Sequence, residues 1–236
     1  MAELPFDGVD RPYGSAWHLL RFLGYHRELL NDRVCAATGI SAIKWLDFGF
    51  ARENGDSGLS GMDFLRGGNS REEKALEAWK GFWPRSVTLH PWDAVGKVLA
   101  FDGSTEWILV EARAHVQELH SSCGAVSPGS LERISGVVSR TAVSLGVEFS
   151  ESWMSEYYQY ASRLVVLDFL ETRGVMARLV CICFCGDRRP DGLFCPSSER
   201  EWRPALQRMY SRLGLSESGN GIMKRVHHVF LGLDSR

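Results

Sequence analysis

Hydrophobic positions change period several times along the chain, and each change marks an element. Trp17, Leu20, Leu23, Leu30 and Val34 recur at near-helical spacing with Arg and Glu between them. One helix is therefore expected over 17–34, capped by Ser15 and stopped at Thr38-Gly39. Ile43 to Phe50 alternates as a strand does, and residues 52–70, rich in Gly, Ser, Asp and Asn, read as a loop. Ser70 is the expected cap of a second helix, whose first turn is acidic and which Pro84 ends.

Two apolar runs follow, Ala94 to Phe101 and Trp107 to Ala114, joined by the turn-like Asp102-Gly103-Ser104-Thr105. A hairpin closed there lays Asp93 across from Ala114, Val95 from Ala112 and Lys97 from Val110. Ser127-Pro128 opens a helix to about Leu145, and Ser150 or Ser152 caps another that runs to Glu171, with Gly174 as its stop. Met176 to Cys185 is apolar on both faces, as a central strand covered by helices must be. A helix over 199–213 and a strand over 225–233 complete the pattern. These elements predict an α/β fold: one domain over 1–236 with a mixed central sheet flanked by helices. Its core is expected at about 90–185, with a helical and strand elaboration over about 1–84.

Composition narrows the class. Apolar residues make up 44% of the chain and charged residues 24%, ordinary values for a chain with a sizeable core. The net charge of −2 argues against a protein that coats nucleic acid non-specifically, though not against a local basic groove. Cys181, Cys183 and Cys185 alternate along one run, a spacing unsuited to disulfides, and there is no CxxC pair. They are expected to be small core hydrophobes, with a soft-metal site as the less favoured reading. The polar, turn-rich start of the sequence and the lack of a run of ~20 apolar residues predict a cytoplasmic protein.

Candidate chemistry lies on the hairpin. Glu111, Arg113 and His115 share one face of the second strand, while Ile108, Val110, Ala112 and Ala114 form the other. With Asp93 at the start of the first strand, two carboxylates and a cation are expected on one patch of sheet. Surface ion pairs contribute only ~0–1 kcal/mol, so stability alone is a weak reason to place charges in an apolar strand. Two carboxylates and a main-chain carbonyl can instead hold Mg²⁺ when a phosphate completes the shell. Such an ion lowers the pKa of a bound water and stabilises the transition state of phosphoryl transfer.

Asp93 followed 18 residues on by Glu111-Ala112-Arg113, on consecutive strands, resembles the core of the PD-(D/E)XK, or restriction-endonuclease-like, nucleases. That family carries an acid on one strand and (Asp/Glu)-x-Lys on the next, within a helix, three-strand meander, helix, strand framework. The resemblance covers about residues 90–185 and implies a metal-dependent phosphodiesterase acting on DNA or RNA. It assigns Asp93 and Glu111, with the carbonyl of Ala112, to Mg²⁺ or Mn²⁺. Family members also place Gln and Tyr on a helix lining the substrate groove, which here points to Gln159, Tyr160 and Arg163.

The lysine position holds Arg113, a permanently charged planar fork that cannot serve as a base. Arg113 or Lys97 would then position the attacking water or the phosphate. The alternative is an inactive nuclease-like scaffold that binds nucleic acid or a protein partner. Glu28, Glu72, Glu73 and Glu77 compete as an extra acid, and Arg188, Arg189, Arg200 and Arg203 form a modest cationic cluster. His227 and His228 point to opposite faces of a strand and cannot chelate together.

Overall fold

The computed structural model describes residues 13–46, 61–84, 89–99, 104–216 and 221–233. Five strands lie side by side in chain order: β1 (Lys44–Trp45), β2 (Ala94–Leu99), β3 (Thr105–Arg113), β4 (Met176–Cys185) and β5 (Val226–Gly232). β1, β2 and β3 form an antiparallel meander, after which β4 and β5 each add parallel to their predecessor. A parallel addition needs a crossover, and helices supply both. α4 (Pro128–Ser144), α5 (Ser152–Ser155) and α6 (Tyr158–Thr172) lead into β4, and α7 (Glu199–Leu213) leads into β5. The mixed α/β sheet read from the sequence is therefore present.

Helices cover both faces. Even-numbered residues of β3 and β4, among them Ile108, Val110, Ile182 and Phe184, pack against Leu19, Phe22, Leu30 and Val34. Those four belong to α1 (Ser15–Tyr25) and α2 (Arg27–Thr38). The odd-numbered face meets α3 (Ser70–Phe82), α4, α6 and α7 through Trp79, Val138, Leu164 and Trp202. Two-sided burial explains why β4 is apolar at almost every position.

Several boundaries differ from the sequence reading. The N-terminal helix is two helices, broken at His26 (φ −126°, ψ 33°). Its cap is Gly14 at φ 91°, whose N–H donates to Asp187 (2.9 Å), while Ser15 is helical and its hydroxyl donates to Glu118 (3.0 Å). α3 is capped by Asn69 rather than Ser70, in a reciprocal capping box with Glu72. The helix expected from Ser150 or Ser152 to Glu171 is interrupted at Tyr157, which separates α5 from α6. Of the strand expected over 43–50, Lys44–Trp45 pairs with β2, and 47–50 lie outside the described residues. Asp102 and Gly103 of the expected turn also lie outside them.

The hairpin register differs too, and the site depends on it. Ala94 pairs with Val110, Lys97 with Trp107 and Leu99 with Thr105. Asp93 is thus not opposite Ala114, nor Lys97 opposite Val110. Residues directly opposite in an antiparallel pair share a face, and a shift by an odd number of residues exchanges the faces. The observed register is three residues from the expected one. That odd shift is what puts Asp93 and Val95 on the same face as Glu111, Leu109 and Trp107.

Candidate active site

The site lies where β3 ends and β2 begins, at the edge that also receives the C-terminal end of parallel β4. Open α/β sheets bind ligands outside the carboxyl ends of their strands. Asp93 joins the ladder through its N–H, which donates to the carbonyl of Val110 (3.1 Å), and its Oδ2 accepts the N–H of Ala112 (2.7 Å). The carboxylate thus takes a main-chain donor just past the last β2–β3 pair.

Glu111 is 4% exposed, and both its oxygens are engaged. Oε1 accepts from Gln159 Nε2 (2.6 Å) and from the Arg113 guanidinium, and Oε2 accepts from Arg163 Nε (2.5 Å). An isolated buried carboxylate costs several kcal/mol. Burial alone would raise its pKa, but Arg113 and Arg163 more than offset that and hold Glu111 below the ordinary carboxylate value.

Arg163 is fully enclosed and spends every nitrogen. Beyond Glu111 it donates to the carbonyls of His90 (2.7 Å) and Pro91 (2.8 Å), and its guanidinium carbon lies 4.1 Å from the Trp92 ring centroid. Trp92 is itself anchored, its indole N–H donating to the carbonyl of Gly61 (2.9 Å). One arginine on α6 therefore fixes the entry to β2 and, through it, Asp93.

Arg113 completes the cluster. Its Nη1 donates to the carbonyl of Ala112 (2.7 Å) and lies 3.9 Å from Asp93 Oδ2, while its Nη2 pairs with Glu111. Burial and the nearby Glu111 carboxylate push Asp93 up to about 7, against the pull of the Ala112 N–H and the two arginines.

The groups that the resemblance assigns to Mg²⁺ lie together, but each already accepts an N–H: Glu111 at both oxygens, Ala112 at its carbonyl and Asp93 at Oδ2. A Mg²⁺ ion needs ligand oxygens at ~2.1 Å in an octahedron and keeps several waters. The Arg113 guanidinium fills the space between Glu111, Ala112 and Asp93, so the residues as arranged do not fit a resident divalent ion. Among the described residues, no group of three or more His, Cys, Asp and Glu side chains is disposed to hold a metal.

The other named residues fall into two groups. Gln159 and Arg163 lie one helical turn apart on α6 and both face Glu111. Tyr160 has its hydroxyl 3.0 Å from that of Tyr210 in the core between α6 and α7, and it lines a small cavity that Glu111 and Arg113 also border. Lys97 is on the face of Asp93 but four residues along β2, its Nζ 5.1 Å from the Trp107 ring centroid. That spacing is about 13 Å of strand, beyond the reach of a lysine side chain. His115 is buried beside Glu118 (3.4 Å).

Glu72 belongs to the α3 cap and accepts from the indole of Trp107 (2.8 Å), Glu73 accepts the N–H of Gly67, and Glu77 pairs with Lys80. In the cationic cluster, Arg189 is paired with Asp191 and Arg203 with Glu199, while Arg188 and Arg200 are exposed.

Behind the acid cluster, Glu111, Cys181 and His228 form a row across β3, β4 and β5. A cavity of about 20 Å³, room for a single water, lies against them and Arg113. Burial, then Glu111, pushes the Cys181 thiol up to about 12, so it is a protonated wall group there. All six cysteines are free.

The sequence reading missed the closure of the cluster by Arg163. A signal for it was present. α6 is apolar nearly all round, and a cation within such a helix must find a buried partner.

Among the described residues no helix is long and apolar enough to cross a membrane. No family model, no curated protein and no solved structure matches the chain.

Proposed function

We propose that the chain is a nuclease-like protein of the PD-(D/E)XK type that engages nucleic acid at the C-terminal edge of its sheet without hydrolysing it. Two features support the nuclease-like part. Three antiparallel strands, with α3 inserted between β1 and β2, are followed by helices and the parallel β4, and the side chains of Asp93, Glu111 and Arg113 meet on one face of that sheet beside the Ala112 main chain. One observation carries the non-hydrolytic part: the Arg113 guanidinium bonds two of the three candidate ligand groups, Glu111 and the Ala112 carbonyl, and stands 3.9 Å from the other, Asp93. A metal-activated water has no seat while that side chain is there. The six free thiols agree with a reducing, cytoplasmic setting.

The metal-dependent phosphodiesterase is the second reading, and one observation favours it. The Asp93 and Arg113 side chains, 29% and 13% exposed, are the open members of the cluster. In this reading Arg113 swings outward and Mg²⁺ or Mn²⁺ takes its place.

Labelled single-stranded and duplex DNA and RNA, titrated by fluorescence anisotropy with and without divalent ions, test both. The first reading expects binding that needs no metal, weakens as salt rises and leaves the oligonucleotide intact. Cleavage in Mg²⁺ or Mn²⁺ that disappears with Asp93→Ala establishes the second reading. A protein that neither binds nor cuts any of the four sinks the nucleic-acid assignment.

A further inference from the structure

We infer that Arg113 is a tethered cation standing in for a divalent metal ion, and that removing its side chain uncovers a Mg²⁺- or Mn²⁺-binding site on this chain. The inference rests on the nuclease-like reading of the acid pair, and it concerns what neutralises that pair.

Charge and geometry point the same way. With all groups ionised, Asp93 and Glu111 contribute −2 and Arg113 and Arg163 contribute +2, so the cluster is neutral. Arg163 is committed to Glu111 Oε2, His90 and Pro91, one bond from each guanidinium nitrogen. Only Arg113 spans the gap from Glu111 Oε1 to Asp93 Oδ2, and it does so while folding back on the carbonyl of the residue before it. Without that side chain, two carboxylates and a freed carbonyl face one another with a net charge of −1. An all-oxygen donor set of this kind suits a hard divalent ion. A purely structural ion pair makes a different prediction, because its loss would destabilise the fold without creating affinity for a metal.

Mn²⁺ calorimetry and thermal unfolding with and without millimolar Mn²⁺ separate the two on wild type, Arg113→Ala, Arg113→Lys and Arg113→Ala/Asp93→Ala. The expected result is a wild-type Tm insensitive to Mn²⁺, and an Arg113→Ala protein that melts lower and is raised again by Mn²⁺. Its Mn²⁺ affinity should exceed that of wild type by about tenfold or more, and the double variant should lose the gain. Arg113→Lys keeps the charge but not the two-pronged reach, so it should gain a smaller response and carries the comparison if Arg113→Ala does not fold. Asp93-dependent Mn²⁺ binding by wild type at the variant's affinity overturns the inference. So does a folded Arg113→Ala or Arg113→Lys that gains none.

Oligonucleotide binding by the same proteins is scored separately. Gained metal affinity with no nucleic-acid binding would sink the nucleic-acid reading and leave this inference standing, while unchanged metal affinity with intact nucleic-acid binding would do the reverse.

Discussion

Glu111 Oε2 and Arg163 Nε meet at 2.5 Å, with the arginine side chain wholly closed to solvent. A charge buried so completely depends on its partner, because breaking a buried pair by removing one member costs about 3–5 kcal/mol. Arg163→Met and Glu111→Gln are each expected to lower stability by that order in urea unfolding. The double variant should lose less than the sum, since neither member is left unpaired. Additive losses would show that the two side chains act independently.

Asp93 makes stability depend on pH in an unusual direction for a carboxylate. Its folded value of about 7 lies above the ordinary 3.8, so between those limits the folded protein holds a proton that the unfolded chain has released. Its contribution is therefore full below about 4 and is lost as pH rises towards 7. Asp93→Asn should remove this slope and melt higher than wild type at pH 8. With its part-exposed side chain screened by solvent, the gain should be no more than about 2 kcal/mol. Melting curves from pH 4 to 8 on both proteins check the sign.

Gly96 is where β1 approaches β2. A Cβ there would lie 2.6 Å from Ile43 Cγ2 and 3.2 Å from the Trp45 ring. Gly96→Ala is expected to cost about 1–3 kcal/mol by overpacking and to loosen β1. Hydrogen exchange at Leu46, whose N–H donates to the carbonyl of Val95 (2.8 Å), should speed up before exchange in β4 does.

The two members of the α3 capping box should differ in cost. Asn69→Ala removes a cap worth about 1 kcal/mol. Glu72→Ala removes the reciprocal half and also strands the buried indole N–H of Trp107, a loss of about 2–3 kcal/mol. Thermal melts of the two variants should rank in that order.

Elements set by their own residues were legible in the sequence. β4 needed only its nearly continuous apolar run and α4 its Ser127-Pro128 start, and α7 spans the expected 199–213. What failed was what distant residues decide. Ser15 is a good cap by type, yet Asp187 and Glu118, more than 100 residues away, claim the start of α1. The hairpin register was misread because a tight-turn sequence does not fix where the ladder closes. The face shared by Asp93 and Glu111 follows from that register and not from either residue alone. In the candidate site, the acids, Gln159 and Arg163 were named from the sequence. That Arg113 would fold back onto Ala112, and that Tyr160 would turn to Tyr210, follows from packing that no local pattern encodes.

The charges that interrupt β3 also guard the pairing of the strand itself. Slid by one residue against its neighbours, β3 would swing Glu111 into the opposite layer, among Leu19, Phe22, Leu30 and Val34. There its carboxylate would lose Arg163 and Gln159, which stay behind on α6, a penalty of several kcal/mol. A strand made only of Val, Ile and Leu would tolerate such a slip far better. A single buried acid thus turns a pliable apolar ribbon into one that proofreads its own alignment.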